Sequence, residues 1–84
     1  MSVTTWFVYI VKAKDNSYYT GVTTNLNKRV EKHNNKQGAK SLLGKIPVKL
    51  VYQENVKNKS AALKRESEIK SWPRSKKIEL VTAQ

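Results

Sequence analysis

The apolar residues of this 84-residue chain fall in short blocks of differing period. Trp6-Phe7-Val8-Tyr9-Ile10-Val11 is β-branched or aromatic at even and odd positions alike. A strand with that pattern is covered on both faces, which predicts a central strand. Lys14-Asp15-Asn16-Ser17 supplies turn chemistry, because Asp and Asn bond nearby backbone and tolerate a left-handed conformation. Tyr18-Tyr19-Thr20-Gly21-Val22-Thr23 then completes a hairpin.

The period changes after Thr23. Thr24 and Asn25 are good N-cap residues for a helix reaching Asn34 or Asn35, with Leu26 and Val30 as its apolar stripe. Lys36 to Ile46, with Gly38 and Gly44, reads as a loop. Pro47 opens a third strand, 48–53, in which strict alternation puts Val48, Leu50 and Tyr52 on one side. Asn58 or Ser60 can cap a helix from Ala61 to about Ser71, and Trp72-Pro73 stops it. A short basic helix, 74–81, closes the chain. The order β-β-α-β-α-α predicts an α+β domain over 1–84, with its core at about 6–81.

Some polar residues interrupt the apolar stripes. In the second helix Ala62, Leu63 and Ile69 define the expected buried direction, and Glu66 falls within about 15° of it. Glu68 lies more than about 140° away and reads as a solvent residue. A core-facing carboxylate is costly unless paired, so Glu66 is either half of a salt bridge or a metal ligand. In the first helix His33 lies about 40° from the Leu26/Val30 direction, with Arg29 on the flank nearby. A lone histidine near an apolar stripe is more often a packed, hydrogen-bonded residue than a catalyst, and Arg29 reads equally as a rim charge.

The hairpin poses a question of register. A two-residue turn at Asp15-Asn16 sets Tyr9 opposite Val22 and points the two tyrosines to opposite faces. A three-residue loop, Asp15-Asn16-Ser17, sets Tyr9 opposite Thr23 and lines Tyr9, Tyr19 and Gly21 on one face. The Asn-Gly pair that would favour the shorter turn is absent.

Charge narrows the function. Seventeen Lys and Arg against six Asp and Glu give +11, with +3 on residues 1–35 and +8 on 36–84. Self-repulsion of that size favours a polyanionic partner, nucleic acid before membrane or acidic protein. The absence of cysteine excludes disulfides, thiolate metal sites and cysteine nucleophiles, and one histidine cannot build a histidine zinc site. No apolar run is long enough to span a bilayer and the N-terminus does not resemble a signal peptide, so a cytoplasmic location is expected.

These residues also carry a resemblance. Val8-Tyr9-Ile10 stands ten positions before Tyr19-Thr20-Gly21 and resembles the paired motif of the GIY-YIG nucleases. Thr20 replaces the middle isoleucine of the second half, and Val22 replaces the lysine of excision-repair members. Tyr19-Thr20-Gly21-Val22-Thr23-Thr24, Arg29, His33-Asn34 and Gly38-Ala39-Lys40 are similar to the small stand-alone bacterial branch. So are 47–52 and Ala62-Leu63-Lys64-Arg65-Glu66-Ser67-Glu68-Ile69-Lys70.

The resemblance implies a three-stranded antiparallel sheet flanked by helices. It also implies phosphodiester hydrolysis with one divalent ion, Mg²⁺ or Mn²⁺, held by a helix glutamate. On the matching positions it assigns catalytic roles to Tyr9, Tyr19, Arg29, His33 and Glu66, with Glu66 as the metal ligand. It selects the odd-length hairpin loop, with Tyr9 and Tyr19 on one face. Either phenol then serves as base or water-orienting group if cations lower its pKa. Gly21 would admit a sugar-phosphate backbone, and Lys28, Lys36, Lys40, Lys45 and Lys70 are candidate phosphate contacts. The expected activity is a monomeric DNA endonuclease of low sequence specificity, with DNA ahead of RNA as substrate. The alternatives are a non-catalytic nucleic-acid-binding module and an interaction domain of a repair or RNA-processing assembly.

Overall fold

The chain is described by a computed structural model that covers residues 4–83 except 39 and 43, with Ser41 seen through its backbone alone. Strand β1 (Trp6–Lys12) lies between β2 (Tyr18–Thr23) and β3 (Lys49–Val56), antiparallel to both. Helices α1 (Leu26–Asn34), α2 (Lys59–Lys70) and α3 (Arg74–Thr82) complete the order β-β-α-β-α-α, the α+β arrangement that the pattern predicts. A 3-10 turn over Lys40–Leu42 sits within the stretch expected to be loop. Ala39, inside the Gly38-Ala39-Lys40 run, lies outside the described residues.

β1 is central because both its faces are covered. Tyr9, Val11 and Ala13 pack with Leu42 and Val48 and, around them, Leu26 and Val30 of α1. Val8 and Ile10 point the other way, onto Ala62 and Ile69 of α2, with Trp72, Leu80 and Val81 around them. The sheet is therefore sandwiched, α1 on one face and α2 with α3 on the other.

The hairpin loop is odd in length, but it is one residue earlier than expected. Ala13 N donates to Ser17 O at 2.8 Å, which leaves Lys14-Asp15-Asn16 as the loop. Asn16 supplies the left-handed residue at φ 70°, as the third position of such a loop requires. Asp15 accepts from the Ser17 amide at 3.0 Å and holds the return strand. The result pairs Tyr9 with Gly21 and Val11 with Tyr19, so the parity is the expected one and the register differs by two.

Two other expectations are corrected. Val48, Leu50 and Tyr52 do not share a side, because the β1–β3 register shifts between Ile10 and Val11. Val11 faces Leu50 while Ile10 faces Tyr52, so Val51 is the extra residue of a bulge. Leu50 joins the α1 core and Tyr52 the α2–α3 core. Leu63 is 44% exposed, so the buried direction of α2 is set by Ala62 and Ile69 alone. β3 also runs on to Val56, since Glu54 is neutralised on the covered face by Arg65 at 2.7 Å.

The helices start where their caps allow. Asn25 accepts from Lys28 N at 3.1 Å and Asn58 from Ala61 N at 2.8 Å, each satisfying an otherwise orphaned amide. Asn58 rather than Ser60 is the cap, and α2 accordingly begins at Lys59. Asn34 fastens the end of α1 to the start of β3, accepting from Val48 N at 2.7 Å and donating to Val48 O at 3.3 Å.

Candidate active site

Tyr9 is wholly buried at mid-strand, facing α1. Its ring lies over Gly21 on β2: a Cβ there would sit 2.5 Å from the Tyr9 hydroxyl. Gly21 is itself buried. The space its missing side chain leaves is taken by the phenol, so the packing of Tyr9 itself requires glycine here.

α1 brings two groups onto that hydroxyl. Arg29 Nε donates to it at 3.3 Å, and His33 Nε2 lies 2.9 Å away. Positions four apart on a helix share a face, so one turn of α1 delivers both. His33 is 1% exposed, and burial followed by the nearby Arg29 charge lowers its pKa below the usual imidazole range. The ring is therefore neutral at pH 7. With Arg29 donating to it, the Tyr9 hydroxyl can give its own proton to Nε2. Burial raises the Tyr9 pKa, and the Arg29 hydrogen bond and charge only partly oppose that rise. The expected lowering of a phenol pKa by nearby cations thus fails at Tyr9, because desolvation outweighs the guanidinium.

Tyr19 completes the cluster from β2. It is half-buried, its ring centroid 5.4 Å from that of His33 and 6.4 Å from that of Tyr9. The hydrogen bond to Tyr9, with Tyr19 close by, holds the Arg29 pKa above the usual guanidinium value, so it stays charged. On the other side Lys70 of α2 stands 5.8 Å over the Tyr19 ring and 3.3 Å from Glu66 Oε2.

Glu66 is the deepest carboxylate with an ion pair, its side chain 19% exposed, and its charge reaches Tyr9 as a minor upward influence. The turn between Ala62 and Ile69 places it at the flank of α2 that packs along β2. Both readings of Glu66 meet here: it pairs with Lys70, yet Lys70 is half exposed and able to swing away. No group of three or more His, Cys, Asp or Glu comes together among the described residues. A single carboxylate fits Mg²⁺, which keeps several waters and takes its remaining ligands from substrate phosphate.

The candidate phosphate contacts divide. Lys28 lines an open cleft with Thr23, Thr24, Asn25, Arg29 and Lys32, immediately beside the cluster. Lys36 and Lys40 are exposed. Lys45 pairs with Asp15 at 3.4 Å and Lys70 with Glu66, so these two must break a contact to reach a phosphate. Sequence reasoning missed Lys32, four residues after Lys28 on the same helix face. It also missed Gly38, where a Cβ would fall 2.1 Å from His33 Nδ1. A glycine in a lysine-rich loop carries no mark of what packs against it.

The profile of the GIY-YIG catalytic domain matches residues 5–79. The chain belongs to the GIY-YIG family. Curated relatives include UPF0213 proteins of Staphylococcus aureus strains Mu50 and MW2, each 57% identical over 75 residues, covering 89% of this chain and 92% of the relative. A solution structure of a UPF0213 protein from Bacillus halodurans is 39% identical, with a TM-score of 0.62, covering 95% of this chain and 85% of that one. These are small stand-alone GIY-YIG proteins, and the family points to nuclease-type chemistry on nucleic acid. No helix among the described residues is long and apolar enough to cross a membrane.

Proposed function

We propose that this GIY-YIG protein is a metal-dependent endonuclease that hydrolyses phosphodiester bonds in DNA with little sequence preference. The observation that carries the reading is the convergence, around one buried phenol, of Arg29, His33 and Tyr19, with Glu66 at the cluster's edge. These residues come from β1, β2, α1 and α2, and packing for stability alone does not require their chemistries to meet.

Each side chain has a distinct task. Arg29, held by Tyr9, presents a permanent positive charge for the scissile phosphate. Tyr9 and His33 are positioning groups: they fix Arg29 and shield it from solvent. Tyr19 is the phenol that substrate can reach, and it orients the attacking water or takes its proton. Glu66 would hold Mg²⁺ or Mn²⁺ once Lys70 turns to the substrate backbone. When bound, that ion neutralises charge on the phosphoryl and leaving oxygens. With lysines on the α1 face beside the site, affinity rests on phosphate contacts and falls with salt.

The test is nicking of supercoiled plasmid and of branched oligonucleotides with Mg²⁺ or Mn²⁺. Tyr19→Phe and Glu66→Ala should each lose about a hundredfold or more of the rate while still binding DNA. Salt-sensitive binding with no cleavage of any substrate would instead mark a nucleic-acid-binding module.

A further inference from the structure

On the sheet face opposite the Tyr9 cluster, the strand register gathers cations without acids. Lys12 of β1 stands between Tyr18 of β2 and Lys49 of β3 in one row across the sheet. Alternation from Val8 and Ile10 puts Lys12 on the α2–α3 face, and Lys49, between Val48 and Leu50 of the other core, shares it. Tyr18 packs on that face too and carries the Arg74 guanidinium 4.9 Å from its ring centroid. Arg74 is tied to the hairpin tip as well, donating to Asn16 O at 2.8 Å.

This arrangement is electrostatically unfavourable by itself. Like charges directly opposite in an antiparallel pair repel, and the strands cannot slide apart without turning the buried Val8–Val11 outward. Lys12, Lys49 and Arg74 are all exposed, and no ion pair reaches them among the described residues. The nearby acids are engaged elsewhere, Asp15 by Ser17 and Lys45, and Glu54 by Arg65. Lys12 and Lys49 lie on neighbouring strands about 5 Å apart and Arg74 of α3 lies over Tyr18 of β2, a spread that suits a polymer of phosphates better than one small anion.

We infer that Lys12, Lys49 and Arg74 form a second contact for the phosphodiester backbone, separate from the Tyr9–Arg29–Glu66 site. The inference rests on the nucleic-acid reading above and extends it to the far face. Tyr18 and Tyr19 are neighbours on edge strand β2 and point to opposite faces, so the row lies just round that edge from the site. A bound nucleic acid that crosses the β2 edge touches both.

The test compares two double variants with equal charge change. Lys12→Gln/Lys49→Gln removes the row, and Lys57→Gln/Lys59→Gln removes two exposed lysines at the other end of the sheet. Duplex DNA affinity is measured over a range of salt for both and for wild type. The row variant should bind about tenfold more weakly at low salt, with a salt slope shallower by about two, and the control should move by clearly less. Equal losses would reduce the effect to net charge and overturn the inference, as would an unchanged row variant. Nicking, read on the same samples, keeps the two readings apart. If wild type binds but never nicks, the nuclease proposal falls while a selective loss in the row variant still stands. Nicking by wild type with row-variant affinity intact sinks the row alone.

Discussion

Two tyrosines that look equivalent in the sequence are unlike in the fold. Tyr9 is fully buried with its hydroxyl engaged by Arg29 and His33, whereas Tyr19 keeps part of its surface toward solvent. Burial keeps the first phenol protonated and leaves the second as the one a substrate can meet. His33 responds in the opposite sense, because for a base burial disfavours the protonated form. Its folded pKa lies below the unfolded value of about 6.5, so the unfolded chain binds the proton more readily. The stability this residue contributes is therefore present above about pH 6.5 and lost as pH falls toward the folded pKa. As the sole histidine, it can be followed without assignment by NMR of its ring. It should titrate below the free-imidazole value, and His33→Gln should flatten the acid side of the stability profile below about pH 6.5. A ring titrating at or above about 6.5 contradicts the buried neutral histidine.

At the scale of elements, pairing register decides which side chains meet. A two-residue shift keeps every residue on its face, so the common face of Tyr9, Tyr19 and Gly21 survives the misplaced loop. It changes the partner, however, and the partner matters: Gly21, not Thr23, lies across from Tyr9. Gly21→Ala should drive the phenol from the Arg29–His33 pair, costing about 1–3 kcal/mol by urea unfolding and most of any nicking activity. Full stability in that variant would show that the ring is not pinned there. The bulge at Val51 has the opposite lesson. One extra residue reverses the facing of the rest of β3 and lets Tyr52, Glu54 and Val56 join the α2–α3 side. Strict alternation read from Val48 could not foresee it, since a bulge leaves no mark in a Val-rich strand.

The whole molecule carries its charge on both sides. Lys28, Arg29 and Lys32 line the cleft on the α1 face, and Lys12, Lys49 and Arg74 cross the other. Against +11 the described ion pairs are few and mostly exposed, so they offset little of the self-repulsion. Added salt should then act in two directions at once. Raising NaCl to about 0.3 M shortens the screening length and should raise the thermal midpoint, while the same change weakens DNA binding. A midpoint that falls with salt would mean that the ion pairs, not the repulsion, dominate.

Periodicity and composition were enough for the order of elements, the doubly covered central strand, the polyanionic partner and, through the paired tyrosine motif, the family. All of these are carried by neighbours within a few residues or by a sum over the chain. The tertiary structure alone decided that Tyr9 is sealed and Tyr19 reachable, that Gly21 and Gly38 make room for a phenol and an imidazole, and that Leu63 faces water. Each of those depends on contacts between residues distant in sequence, where one turn's length or one extra strand residue redirects a side chain without altering the local pattern.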